Sequence, residues 1–284
     1  NEDLEWLFRW FTRLCSTIFI LFVFGYFFRR GYGPATAASV MLFSFTVGLL
    51  SAFYYITKQL KYLLYIIILF LVPVLELTRM GIAATAAVFI LHFANTKIKS
   101  KIIFGIIGVM ILLLVFNSKK FQEDTFKTGK GELSDLTFNY YDNPNLKSSG
   151  RISWRKALQP GLKAAPVWGN GPRADNEQLS KISKRRSGEA HNDYLAVRYN
   201  YGYVGLGLLL VGFVLTFISL YRISGKYKQN DLIWLLSTSS LTLFLSFLMF
   251  MYTDNILKYT IYFPNYFFAM IGIIYSLKRD EDFN

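Results

Sequence analysis

The chain is short of charge, cysteine and histidine, and each shortage excludes something. Of its 284 residues only 17% are Asp, Glu, Lys or Arg, against about 25% in an average soluble protein. So few charges cannot solvate a large apolar surface, which argues against both disorder and an ordinary soluble domain. One cysteine, Cys15, cannot pair within the chain, so there is no disulfide scaffold, and its place inside an apolar run makes it a poor catalytic thiol. Two histidines, His92 and His191, lie far apart in sequence. No Cys/His metal spacing, HExxH, Walker A loop or dinucleotide glycine signature is present, so neither a metal nor a cofactor is expected.

What is abundant is apolar material: 53% of residues are hydrophobic before the 20 glycines are counted. It is gathered into runs without charge: Leu14–Phe28, Gly31–Thr57, Tyr62–Leu75, Met80–Thr96, Ile102–Ser118, Tyr199–Tyr221, Leu232–Thr253 and Tyr259–Leu277. A helix needs about 20 apolar residues to cross the hydrocarbon core, and about 17 at least. The pattern predicts an all-α integral membrane protein with about eight transmembrane helices. Leu14–Phe28 and Tyr62–Leu75 are short and need snorkelling ends or tilt. Leu14–Phe28 reads as an uncleaved helix and not a signal peptide, because Arg29 and Arg30 stand before the Ala35-Thr36-Ala37 stretch.

The net charge of +13 raises the question of nucleic acid, and the placement of the cations answers it. With the N-terminus inside and helices alternating, twelve Lys and Arg fall in inner short segments and four, Arg29, Arg30, Arg79 and Lys258, in outer ones. That asymmetry is the positive-inside signal. The remaining fifteen lie between Lys119 and Arg198, with nine acids, in one long loop between the fifth and sixth helices. Long loops cross largely regardless of charge, so this loop is placed outside. Three regions follow: helices one to five over 1–117, an extracytoplasmic loop with short helices over 118–198, and helices six to eight with a cytoplasmic tail over 199–284. Within the loop, Ser149–Leu162 has a helical pattern that Pro160-Gly161 is expected to end. Ala190–Ala196 leads into the sixth helix, and Lys181–Arg186 is a solvated basic stretch.

Several residues in this layout could carry chemistry. His191 stands where the loop meets the sixth helix, and an imidazole there can accept a proton from a hydroxyl nucleophile. The structural alternative makes it a helix-start residue beside a cap, Asn192 or Asp193. His92, inside an apolar run, suits a packed role. Arg79 lies between two apolar runs next to Gly81, and pairs with Glu76 or binds a ligand. Arg151 opens the loop helix, where a guanidinium can grip phosphate oxygens in bidentate fashion. Trp154, Trp168, Tyr140 and Tyr141 could stack on sugars or anchor at an interface. Pro166-Val167-Trp168-Gly169-Asn170-Gly171 forms a turn.

Taken in order, Arg79, Ser149-Gly150-Arg151 with Trp154, the Pro166–Gly171 turn, and His191-Asn192-Asp193-Tyr194-Leu195 with Gly202 and Gly205 resemble the O-antigen ligase/polymerase family. The resemblance covers roughly Tyr62 to Phe217. It implies a glycosyltransferase of the bacterial inner membrane, active at the periplasmic face, with a donor glycan on undecaprenyl diphosphate. It implies Arg79 and Arg151 on the donor diphosphate, His191 as general base, Asn192 and Trp154 in substrate contact, and no metal. It also implies helices upstream of Asn1 and partners in glycan export. Two departures stand out: Arg198 occupies a usually apolar place, and Asn200 one that is often acidic. The acceptor is another lipid-linked repeat for a polymerase and lipid A-core for a ligase. A composition rich in Lys, Ile, Asn and Phe leans to the polymerase. Two other classes compete: a transporter, which would use Glu76, Arg79 and Asp254, and a scaffold whose loop binds a partner.

Overall fold

The computed structural model describes residues 37–75, 79–93, 98–135, 145–147, 151–182, 188–257 and 263–283, with scattered positions between Glu2 and Phe24. Its regular elements are helices: α1 (Ala37–Thr57), α2 (Leu60–Leu75), α3 (Arg79–Phe93), α4 (Ile98–Asn117), α5 (Lys119–Thr125), a 3-10 turn at Leu133–Asp135, α6 (Arg151–Ala164), α7 (Ala174–Ile182), α8 (Asp193–Lys226), α9 (Asp231–Met251) and α10 (Phe263–Phe283). Among the described residues the only β-type pairing is an isolated bridge between Phe126 and Leu146. The described residues are therefore all-helical in their regular structure, as expected. Two of the described helices, α8 and α9, are long and apolar enough to cross a membrane by length and composition; Phe43–Thr57 and Leu60–Leu71 are shorter apolar stretches. The expected run at Leu14–Phe28 and the basic stretch from Ser183 to Arg186 lie outside the continuously described residues.

The chain divides into two compact units, Asn1–Asn95 with Leu209–Asn284, and Thr96–Leu208. In the first, α9 is the central helix and packs against α1, α3 and α10. Its buried face carries small hydroxyl residues, Ser237, Ser239, Ser240, Thr242 and Ser246. Small side chains let helix backbones approach where lipid supplies no hydrophobic drive between helices. Gly48 of α1 sits at such a contact, since a Cβ there would lie 3.2 Å from the Thr242 Oγ1. Two of these hydroxyls bond carbonyls of their own helix, Ser237 to Ile233 O at 2.7 Å and Thr242 to Ser239 O at 3.0 Å, whereas those of Ser239, Ser240 and Ser246 are buried without a partner among the described residues. One such pair links two helices directly, Ser44 of α1 and Thr85 of α3, 3.1 Å apart and buried. Asn230 caps α9, accepting from the Ile233 N–H.

The second unit holds the loop. Ser118 caps α5 by accepting from the Phe121 N–H. The chain after α5 is then pinned to the Asn145 segment, with Lys127 N–H donating to Asn145 O and Lys147 N–H to Thr125 O. Leu158, Leu179, Ala190, Ala196 and Tyr199 form a buried cluster drawn from α6, α7 and the start of α8. Trp154, Ala157 and Leu162 of α6 pack around it, whereas Lys156, Gln159 and Lys163 on the same helix are exposed. That one-sided pattern is what holds α6 on the core. Pro160 does not end the helix as expected. The chain stays helical to Ala164 because Leu158 and Leu162, on either side of the proline, both face the core.

Candidate functional site

The expected sixth helix is not continuous in geometry. Within α8, Gly202 has φ 64° and ψ −161°, a conformation essentially reserved for glycine. A break of this kind frees carbonyls before it and N–H groups after it, which must find other partners. The turn at 166–171 supplies them. Asn170 N–H donates to Tyr199 O and Gly171 N–H to Asn200 O, each at 2.9 Å. In return Tyr203 N–H donates to Pro166 O at 2.9 Å and Val204 N–H to Val167 O at 3.2 Å. The Asn170 side chain adds donors to Tyr199 O and to Gly161 O, tying in the end of α6. The backbones touch so closely that a Cβ on Gly169 would lie 2.4 Å from Asn200 O, and one on Gly202 would lie 2.1 Å from Val167 O. These glycines are therefore required by contact as well as by φ.

This joint fixes α8 against the loop, and His191 stands two residues before the helix. His191 has φ 45°, a left-handed backbone that is uncommon for a residue with a side chain. Asn192 follows with its side-chain oxygen accepting from Leu195 N–H at 2.9 Å, so it is the N-cap of α8. The capping alternative thus holds for Asn192, whose carboxamide oxygen is committed to the helix. The His191 ring is stacked on Trp154 of α6, with centroids 4.9 Å apart and planes 30° apart. The structure thereby brings together two of the expected site residues from segments far apart in sequence. Arg151 lies one helical turn before Trp154 on α6 and is half-buried. Trp168 is 76% exposed. Arg79 opens α3 in the other unit, and the side chains of Arg79 and His92, with Glu76, Tyr140 and Tyr141, lie outside the described residues.

Two arrangements were not expected from the sequence. Asp175, in the first turn of α7, and Asn200 of α8 bond reciprocally: Asn200 Nδ2 donates to Asp175 Oδ1 at 2.8 Å, and Asp175 N–H donates to Asn200 Oδ1 at 3.0 Å. Both residues are buried, so position 200 is served by a carboxylate contributed from α7. Only the unusual amide at 200 hinted at it. Arg198 likewise turns out to be a local clasp. It donates to the Tyr203 hydroxyl at 2.6 Å and lies over the Tyr203 ring, 4.5 Å from its centroid, bridging the break at Gly202.

Chemically, the arrangement offers an imidazole braced on an indole face, beside a capped helix start, with a guanidinium one turn away on the bracing helix. Such a set can take a proton from a hydroxyl and steady an anionic leaving group. A family model described as O-antigen ligase matches residues 64–210. No curated protein and no solved structure matches the chain.

Proposed function

The chain belongs to the O-antigen ligase family, and on that premise we propose that it transfers a glycan from undecaprenyl diphosphate to an acceptor sugar hydroxyl at the periplasmic face of the bacterial inner membrane. The observation that carries this reading is the His191–Trp154 stack at the start of α8. The acceptor O–H proton passes to the imidazole as the oxygen attacks the anomeric carbon. The bond from that carbon to the diphosphate oxygen breaks, and the leaving diphosphate takes the electron pair. Direct displacement inverts the anomeric centre. Arg151 and Arg79 are assigned to the diphosphate, because guanidinium groups match phosphate oxygens and are strong in a site of reduced dielectric. Charge taken up by arginines requires no metal. Trp154 presents one ring face to His191, so it acts on a sugar only through the other. Asn192 is buried with its carboxamide oxygen engaged in the cap, so its part in substrate contact is assigned to the amide N–H donors.

We assign the acceptor as another lipid-linked repeat, making the protein a surface-polysaccharide polymerase, on a composition rich in Lys, Ile, Asn and Phe. The alternative acceptor is lipid A-core, which would make the protein a ligase, and membership of the family is compatible with either. Lipid-linked glycans of a deletion strain separate the two: single repeats accumulate for a polymerase and long lipid-linked chains for a ligase. For the chemistry, His191→Ala is expected to lower transfer by roughly 10²–10⁴-fold, the usual contribution of a general base. Wild-type turnover in that variant would sink the base assignment. Activity lost in EDTA and restored by a divalent ion would overturn the metal-free mechanism.

A further inference from the structure

The joint between the 166–171 turn and α8 also marks a change of surroundings along one helix. Before Gly202, Ala196, Tyr199 and Asn200 are buried, the first two in the loop's own core. After it, Tyr203 is 53% exposed and Leu208 69%. Val167, Trp168 and Tyr201 join Tyr203 and Val204 as exposed apolar or aromatic side chains around the same backbone joint. The backbone that carries Val167, Tyr203 and Val204 is pinned by main-chain hydrogen bonds, so the patch is fixed in place at the joint.

We propose that this patch is seated in the headgroup layer of the bilayer, and that the membrane-crossing stretch of α8 begins at Tyr203 and not at Tyr199. Tryptophan and tyrosine carry an apolar ring with a polar edge, which suits them to the membrane boundary. The guanidinium of Arg198, clasped over Tyr203, belongs at the phosphate level of the same layer. The patch continues directly into an apolar helix, which is what singles out a lipid surface as its occupant. Length agrees as well. The twenty residues from Tyr203 to Arg222 rise about 30 Å as helix, the thickness of the hydrocarbon core. That stretch ends at exposed Tyr221 beside Arg222, a second aromatic and basic boundary. Asp193 to Tyr201 then stand clear of the hydrocarbon, with His191 in water-accessible territory.

The measurement needs no substrate. The chain is placed in phosphatidylcholine nanodiscs with Trp168 as its sole tryptophan, after Trp6, Trp10, Trp154 and Trp234 are changed to Phe. Lipids bearing a nitroxide near the headgroup should cause loss of most Trp168 emission, and lipids with the nitroxide at mid-chain should cause little. Strong quenching by aqueous iodide with none from either lipid would put the turn in water and overturn the proposal. Protection from iodide and both lipids would mean that another protein covers the patch. Strongest quenching from mid-chain would mean that the turn enters the hydrocarbon. Either result also overturns it. If the tryptophan variants fail to fold, a spin label at Val167→Cys in a Cys15→Ser background gives the same depth. Comparable accessibility to oxygen and to a nickel chelate supports the headgroup seat. Dominant access by either agent excludes it.

Discussion

The two units bury different kinds of polar residue among their large apolar side chains. In the first, the central helix α9 turns Ser237, Ser239, Ser240, Thr242 and Ser246 inward, and small side chains let the helices close up. In the second, the buried polar groups are mainly carboxylates and amides, Asp175, Asn192, Asp193 and Asn200, beside the apolar cluster of Leu158, Leu179 and Tyr199. A serine or threonine hydroxyl can bond a carbonyl of its own helix, as Ser237 does, whereas Asp175 and Asn200 complete each other from two different helices.

The comparison can be broken at its strongest point first. Gly202→Val should be the most damaging change. It forces a branched side chain into a glycine-only conformation and against the Val167 carbonyl, for a loss of about 5 kcal/mol or more. Thermal unfolding in detergent and protease resistance of the loop would register it. Gly212→Val, on the same helix with open space around it, should stay within about 1 kcal/mol. Equal effects at the two glycines would show that the joint is not special. Leu158→Ala comes next, at about 2–5 kcal/mol, because the side chain is fully buried in the loop core. A smaller loss is expected from Ser44→Val, about 0.6 kcal/mol, since hydroxyl pairs within a membrane bundle are individually weak. A loss as large as that at Leu158 would mean that polar pairing, not fit, holds the first unit.

The smallest effect concerns the far end of α8. Lys226 donates to Asp282 of α10 at 2.7 Å, and the Tyr227 hydroxyl donates to the same carboxylate. These bonds hold Asp282 below the usual carboxylate range. The link is therefore intact above that range and is lost as pH falls through the lowered value. Asp282→Asn should remove that acid dependence from the mobility of the α10 end, measured by hydrogen exchange. The group is exposed, so global stability should hardly move.

Much of this was legible in the sequence. The described apolar helices overlap the uncharged runs, several of them extending past the run into flanking charged residues, as α8 does from Asp193 to Lys226. The loop helix was legible from Ile152, Trp154, Ala157 and Leu158, and the start of α8 from the Asn192-Asp193 pair. The break at Gly202 was not. A glycine between tyrosines and leucines reads as one more apolar position, and its partners at 166–171 are about thirty residues away. The same distance hid the Asp175–Asn200 pair and the Trp154–His191 stack. Local periodicity reports which face of an element is apolar, and is silent on which distant segment meets it.

The joint at Gly202 has an evolutionary corollary. Its four bonds run between main-chain groups, which every residue but proline can offer on the donor side. Val167, Trp168, Tyr203 and Val204 can therefore drift in identity while the geometry beneath them stays put. A lineage could retune the rim of this loop for new glycans without rebuilding its frame, provided it never loses two hydrogen atoms: the ones that stand in for side chains at Gly169 and Gly202.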